Sequence, residues 1–122
     1  MKRILITGSR TWTNTGLIDE MLSIAWGYLG GDPETVIVSG ACPEGADLLC
    51  EQWAEAHGLQ VERHPADWKR HLKRAGFIRN AEMVDLGADL CVAFIKDKSK
   101  GATMCATLAE KAGINTWKAS MS

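Results

Sequence analysis

The chain has 122 residues, with 14 Lys and Arg against 15 Asp and Glu and a formal net charge of −1. A composition of 46% hydrophobic and 24% charged residues excludes a disordered chain. No apolar run approaches the roughly 20 residues that span a bilayer. Ile4-Leu5-Ile6 after Met1-Lys2-Arg3 is too short for a secretory signal, so a cytoplasmic location with no membrane partner is expected.

In chain order, Arg3 to Thr7 reads as a short buried strand ending at Gly8-Ser9-Arg10. Leu17, Ile18, Met21, Leu22, Ala25, Tyr28 and Leu29 recur at helical spacing, predicting a helix from Thr15 to Leu29 that Gly30-Gly31 ends. Thr35 to Val38 is a second, β-branched strand. A helix from about Gly45 to His57 puts Ala46, Leu49, Trp53 and Ala56 on one face and Asp47, Glu51 and Glu55 on the other. Leu59 to Arg63 is a third strand. Lys69 to Leu86 is polar, then amphipathic, and reads as a loop or turn leading into a helix near Gly76. Asp89 to Ile95 is a fourth strand, Gly101 to Ala112 a helix capped by Ser99, and Ile114 to Trp117 a short last strand. No repeat or linker interrupts this order, so a single domain over 1–122 is expected. Alternation of strand and helix predicts an α/β fold: a mostly parallel five-stranded sheet with helices on both faces.

Charge is unevenly spread. Nine acids and no Lys or Arg lie between Thr11 and Glu62, whereas six bases opposed only by Asp67 lie between Arg63 and Arg79. The acids read as outer helix faces, the Lys69–Arg74 cluster as a solvated rim. Cys42, Cys50, Cys91 and Cys105 show no C-x-x-C pair, and His57, His64 and His71 no metal spacing, so no metal is expected.

In a parallel sheet, ligands bind beyond the carboxyl ends of the strands, where strand order reverses. The segments there are Gly8-Ser9-Arg10-Thr11-Trp12, Ser39 to Asp47, Pro65-Ala66-Asp67-Trp68 and Lys96 to Gly101. Two of them run into helix N-termini at Gly45-Ala46 and Gly101-Ala102, where unpaired N–H groups favour an anion. Arg10 and Arg79 can grip phosphate; the alternative for Arg79 is a salt bridge to Glu82 or Asp85. Asp47 either accepts from a ribose hydroxyl or caps its own helix. Trp12 and Trp68 either sandwich a base or pack. Neither G-x-G-x-x-G nor a P-loop Lys-Ser/Thr pair is present, so no dinucleotide or other cofactor is expected.

Taken together, Gly8-Ser9-Arg10-x-Trp12, Ser39-Gly40-Ala41, Gly45-Ala46-Asp47, Ala66-Asp67-Trp68, Ala75-Gly76-x-x-Arg79-Asn80-x-x-Met83 and Ser99-x-Gly101 resemble the SLOG superfamily. The match is closest to its YspA/cpYpsA-related branch of bacteria and phages. The resemblance implies a Rossmann-like three-layer domain, a nucleotide or nucleotide-derived ligand, and a homo-oligomer, dimer or higher. It places Gly8, Ser9, Arg10, Trp12, Ser39, Gly40, Ala41, Gly45, Asp47, Asp67, Trp68, Arg79, Asn80, Ser99 and Gly101 at the ligand. Phosphoribohydrolases of the superfamily carry P-G-G-x-G-T-x-x-E before and into the matching helix; here its Thr is Ala102 and its Glu is Cys105. The leading expectation is therefore a protein that senses or sequesters a nucleotide. The alternative is an N-glycosidase or phosphoribohydrolase, with Asp67, Glu82 or Asp47 as the carboxylate. A third is single-stranded nucleic-acid binding by Lys69, Arg70, Lys73 and Arg74, with Trp68 stacking.

Overall fold

A computed structural model describes residues 1–121. Its strands are β1 (Arg3–Gly8), β2 (Val36–Ser39), β3 (Gln60–Arg63), β4 (Leu90–Lys96) and β5 (Thr116–Met121). Its helices are α1 (Thr15–Tyr28), α2 (Ala46–Ala56), α3 (Trp68–His71), α4 (Ala75–Asp85) and α5 (Lys100–Lys111). All strand pairings are parallel, in the order β3-β2-β1-β4-β5.

Burial explains the order. Ile4, Leu5 and Ile6 of β1 and Cys91 to Phe94 of β4 are wholly buried, as central strands covered on both faces must be. On one face Ile4, Ile6 and Phe94 pack against Ile18 and Leu22 of α1 and Cys50 and Trp53 of α2. On the other, Leu5, Val38 and Cys91 pack against Met83 and Val84 of α4 and Cys105 and Ala109 of α5. The chain builds outward from β1 through β2 to β3, then crosses to β4 and β5. Strand order thus reverses between β1 and β4, and a crevice opens at their carboxyl ends.

Three features differ from the sequence reading. The last strand runs to Met121 rather than Trp117, because seven-residue β4 offers it backbone partners from Cys91 to Lys96. Lys118 and Ser120 are exposed there, so the edge strand carries no apolar run. The segment expected as a loop from Lys69 is already helical at Trp68. It breaks at Leu72, whose φ of 52° is left-handed, and a 3-10 turn (Leu72–Arg74) leads into α4. The acids of α2 do not all face outward: Asp47 and Glu51 are buried. Glu51 is satisfied by the Ser39 hydroxyl at 2.6 Å and by Arg63 Nε at 3.2 Å, partners supplied by the ends of β2 and β3.

No helix among the described residues is long and apolar enough to cross a membrane.

Candidate functional site

The crevice at the β1/β4 switch point is a cleft of about 490 Å³. Of the residues expected at a ligand, it brings together Gly8, Ser9, Arg10, Gly40, Asp47, Trp68, Arg79, Asn80, Ser99 and Gly101. The segments after β1, β2 and β4 contribute, and Trp68 comes from the start of α3.

The floor is held by Ser9. Its hydroxyl accepts from Lys96 N at 2.8 Å and donates to Lys96 O at 3.2 Å, while its own N–H donates to Phe94 O. These bonds tie β1 to β4 across the switch point and leave the hydroxyl occupied by the protein. Ser9 therefore shapes the cleft floor rather than offering a spare donor.

The two helix N-termini differ sharply. At α2, Gly45 adopts φ 75°, and any Cβ there would collide with the carbonyl oxygens of Ser9 and Arg10. Ala46 N donates to Ser9 O at 3.1 Å, so the loop after β1 plugs this helix end. The expectation of an anion at Gly45 is corrected accordingly. At α5, Ser99 occupies the N-cap position without a side-chain capping bond, and a Cβ on Gly101 would meet nothing within 4 Å. Ser99, Gly101 and Ala102 all line the cleft, so the first-turn N–H groups of α5 are available to a negative group.

Arg79 reaches the cleft from α4. Its Nε donates to Asn80 Oδ1 at 2.7 Å and its Nη1 donates to the Gly40 carbonyl, not to Glu82 or Asp85. Gly40 must be glycine for this approach, since a Cβ would stand 2.6 Å from Arg79 Nη1 and 3.0 Å from Asp47 Oδ2. Buried Asn80 continues the chain, with Nδ2 at 3.4 Å from Gly101 O. A polar relay thus runs from the loop after β2 through Arg79 and Asn80 to the start of α5.

Asp47 is 6% exposed and lines the same cleft. Its Oδ2 accepts from Cys42 N at 3.2 Å, so it braces the loop after β2 instead of capping its own helix. Burial raises its pKa to about 6, against the opposing pull of the Cys42 hydrogen bond and the charges of Arg79 and Arg10. Arg10 lies with its guanidinium carbon 5.7 Å from the ring centroid of half-exposed Trp68, a cation–π arrangement.

Several expected residues lie elsewhere. Trp12 is 1% exposed, packs edge-on against Phe94 and donates its indole N–H to Asn14 O, so it is core. Ser39 is buried on Glu51 and donates nothing to the cleft; its oxygen accepts from Ala41 N at 3.0 Å. Ala41 borders a neighbouring chamber. Asp67 is an exposed N-cap of α3, bonded to Arg70 N, and Glu82 is exposed on α4, so neither carboxylate lines the cleft. Cys105 is fully buried and its thiol is pushed up by burial, so the position of the hydrolase Glu supplies no proton-transfer group here. Among the described residues, no group of His, Cys, Asp and Glu side chains could hold a metal ion.

The sequence reading does not single out Phe77, places Lys73 in a solvated rim and holds Met83 and Lys96 only within a motif and a strand-end segment; all four line the cleft. The available signal was the register of α4. Met83 lies four positions after Arg79 and Phe77 three before Asn80, so helical spacing places aromatic, cationic and apolar groups beside one another on α4. With these additions, Arg10, Lys73, Arg79 and Lys96 face Asp47 and Asp97, a balance that favours an anion.

Comparison with known proteins adds an independent line. The family model described as YspA, cpYpsA-related SLOG family matches residues 2–71. The "Gene 61 protein" of Mycobacterium phage D29 is 40% identical over 119 residues, covering 93% of each chain. No solved structure matches.

Proposed function

The chain belongs to the YspA, cpYpsA-related SLOG family, and from that premise we propose that its switch-point cleft binds a nucleotide or nucleotide-derived small molecule, as a sensing or sequestering protein. The observation that carries this reading is the open N-terminus of α5 beside Arg79, in a cleft whose other wall is the exposed ring of Trp68. The phosphate is met by the α5 N–H groups, whose dipole is otherwise uncompensated, and by the guanidinium donors Arg79 does not spend on Gly40 and Asn80. The base lies against the wall of Trp68, Gly76 and Phe77. Asp47, ionised, accepts from a sugar hydroxyl.

Adenosine monophosphate is a direct probe. Calorimetric titration is expected to give a micromolar Kd, with adenosine at least about tenfold weaker because it forgoes the phosphate contacts. Equal binding of the two, or none, would refute the reading.

A second reading is favoured by one observation. Asp47 is a buried cleft carboxylate whose pKa of about 6 suits general acid–base work near neutrality. An N-glycosidase acting through Asp47 releases free base from the monophosphate. Chromatography of the incubated nucleotide separates the readings: intact recovery supports binding alone, while turnover abolished in Asp47→Asn supports cleavage.

A further inference from the structure

Beside the main cleft lies a second chamber of about 500 Å³. Its outer walls come from the loop after β2, with Ala41, Pro43 and Glu44, and from the loop after β3, with Pro65 and Ala66. The two spaces share Arg10, Gly40, Cys42, Trp68 and Arg79, so they are neighbouring compartments of one groove that meet at a pair of arginines.

The chemistry of the seam is distinctive. Arg10 has no hydrogen-bonded or ion-paired partner among the described residues, and its guanidinium rests only over Trp68. Arg79 commits its Nε and one Nη1 hydrogen, leaving three of the five guanidinium donors. Two guanidiniums with unspent donors, at the junction of two chambers and connected through Asn80 to the open end of α5, form a seat for a bridging anion.

The far chamber is different. Apart from the seam arginines it holds no cation, and its charged side chain is the carboxylate of Glu44. It repels a terminal phosphate and suits a neutral group that donates hydrogen bonds and packs a flat face on Pro43, Pro65 and the ring of Trp68.

We propose that the groove takes a two-headed ligand: a diphosphate seated between Arg10, Arg79 and the start of α5, one nucleoside in the main cleft, and a second neutral sugar or nucleoside head in the chamber between the β2 and β3 loops. This rests on the nucleotide reading above and deepens it by naming the ligand class as diphosphate-bridged. Both compartments fall within the range of about 300 to 1,000 Å³ typical of small-molecule sites, and a mononucleotide fills only one.

The test compares ADP with diadenosine diphosphate, which keeps the diphosphate and adds the second head. In calorimetric titration of the whole chain, diadenosine diphosphate is expected to bind at least about tenfold more tightly than ADP. Ala66→Phe fills the far chamber from a half-exposed loop without touching the main cleft. It is expected to bring the two ligands within about twofold of each other by weakening only diadenosine diphosphate. Equal affinities in the unsubstituted chain overturn the two-headed ligand, with no dependence on whether the variant folds. So does an advantage that Ala66→Phe leaves intact while its circular dichroism matches that of the parent. If ADP binds and the second head adds nothing, only this inference fails; if neither ligand nor adenosine monophosphate binds, the nucleotide reading fails with it.

Discussion

Asn at position 47 keeps the shape of the native side chain and removes its charge, which makes Asp47→Asn a test of what the cleft costs the fold. The amide oxygen can still accept from Cys42 N, now bonded at 3.2 Å, so the loop after β2 keeps its brace. What changes is a carboxylate that is 6% exposed and whose pKa is raised from 3.8 to about 6, chiefly by burial. A raised acid holds its proton more tightly folded than unfolded. Its contribution is therefore most favourable below pH 3.8 and is lost as pH climbs through 6. A shift of about two units at about 1.4 kcal/mol each means that ionised Asp47 costs the fold about 3 kcal/mol above neutrality.

Asp47→Asn is accordingly expected to be more stable than the parent by about 2–3 kcal/mol at about pH 7.5 and by almost nothing at about pH 4. For a chain of this length that is a rise in Tm of about 10 °C. Urea unfolding at three pH values measures it directly. A variant no more stable near pH 7.5, or one whose gain is the same at both ends of the range, would refute the burial argument. In the same preparation, affinity for adenosine monophosphate is expected to fall, because the sugar loses its charged acceptor. Stability gained and binding lost together identify a residue retained for function against its own folding cost.

Other outcomes follow from the same geometry. Gly101→Asp places a carboxylate in open space at the start of α5; helix stability should hold or rise by about 0.5 kcal/mol while phosphate affinity falls at least about tenfold, measured by thermal denaturation and calorimetry. Ser9→Ala removes both bonds to the Lys96 backbone in a site 3% exposed, and urea unfolding should show a loss of about 1–3 kcal/mol. Glu62 has the opposite pH sign to Asp47. The paired N–H groups of Arg3, at 2.8 and 2.9 Å, and His64 hold its pKa down at about 2, so its support is present above pH 4.5 and lost as pH falls towards 2. Glu62→Gln should therefore lower the urea midpoint near neutral pH and leave it almost unchanged near pH 2, which flattens the acid limb of the stability curve.

Much of the sheet was legible because the central strands are buried on both faces and their residues say so directly: Ile4-Leu5-Ile6 and Cys91 to Ile95 admit few other environments. The candidate site was legible wherever a residue's role is local, as with Gly101 at the head of a helix. It was misread where a distant partner decides. Asp47 and Glu51 sit at i, i+4 spacing like a solvated stripe, and only Cys42, Ser39 and Arg63, brought in by neighbouring loops and strands, make their burial tolerable. Trp12 follows Gly-Ser-Arg in a loop and has the profile of a base-stacking residue. It turns inward because Asn14 caps α1 two residues later and its backbone oxygen satisfies the indole N–H.

The contrast between the two helix N-termini ties these readings into one account of the cleft. Both begin with a small residue pair after a parallel strand, and either could seat an anion by dipole alone. The chain fills one with its own carbonyls. At Gly45, the left-handed backbone lets Ser9 and Arg10 approach closely enough to meet the α2 dipole. With that end satisfied from within, a carboxylate in the first turn, Asp47, faces the cleft and opposes a second anion there. The other end, at Gly101, keeps its N–H groups for a ligand, and Arg79 and Asn80 connect the two regions. A negative group is thus directed to the α5 side and a hydroxyl-bearing group to the Asp47 side. That gives the cleft a fixed polarity, and a ligand with one anionic and one neutral hydrogen-bonding part can enter in only one orientation.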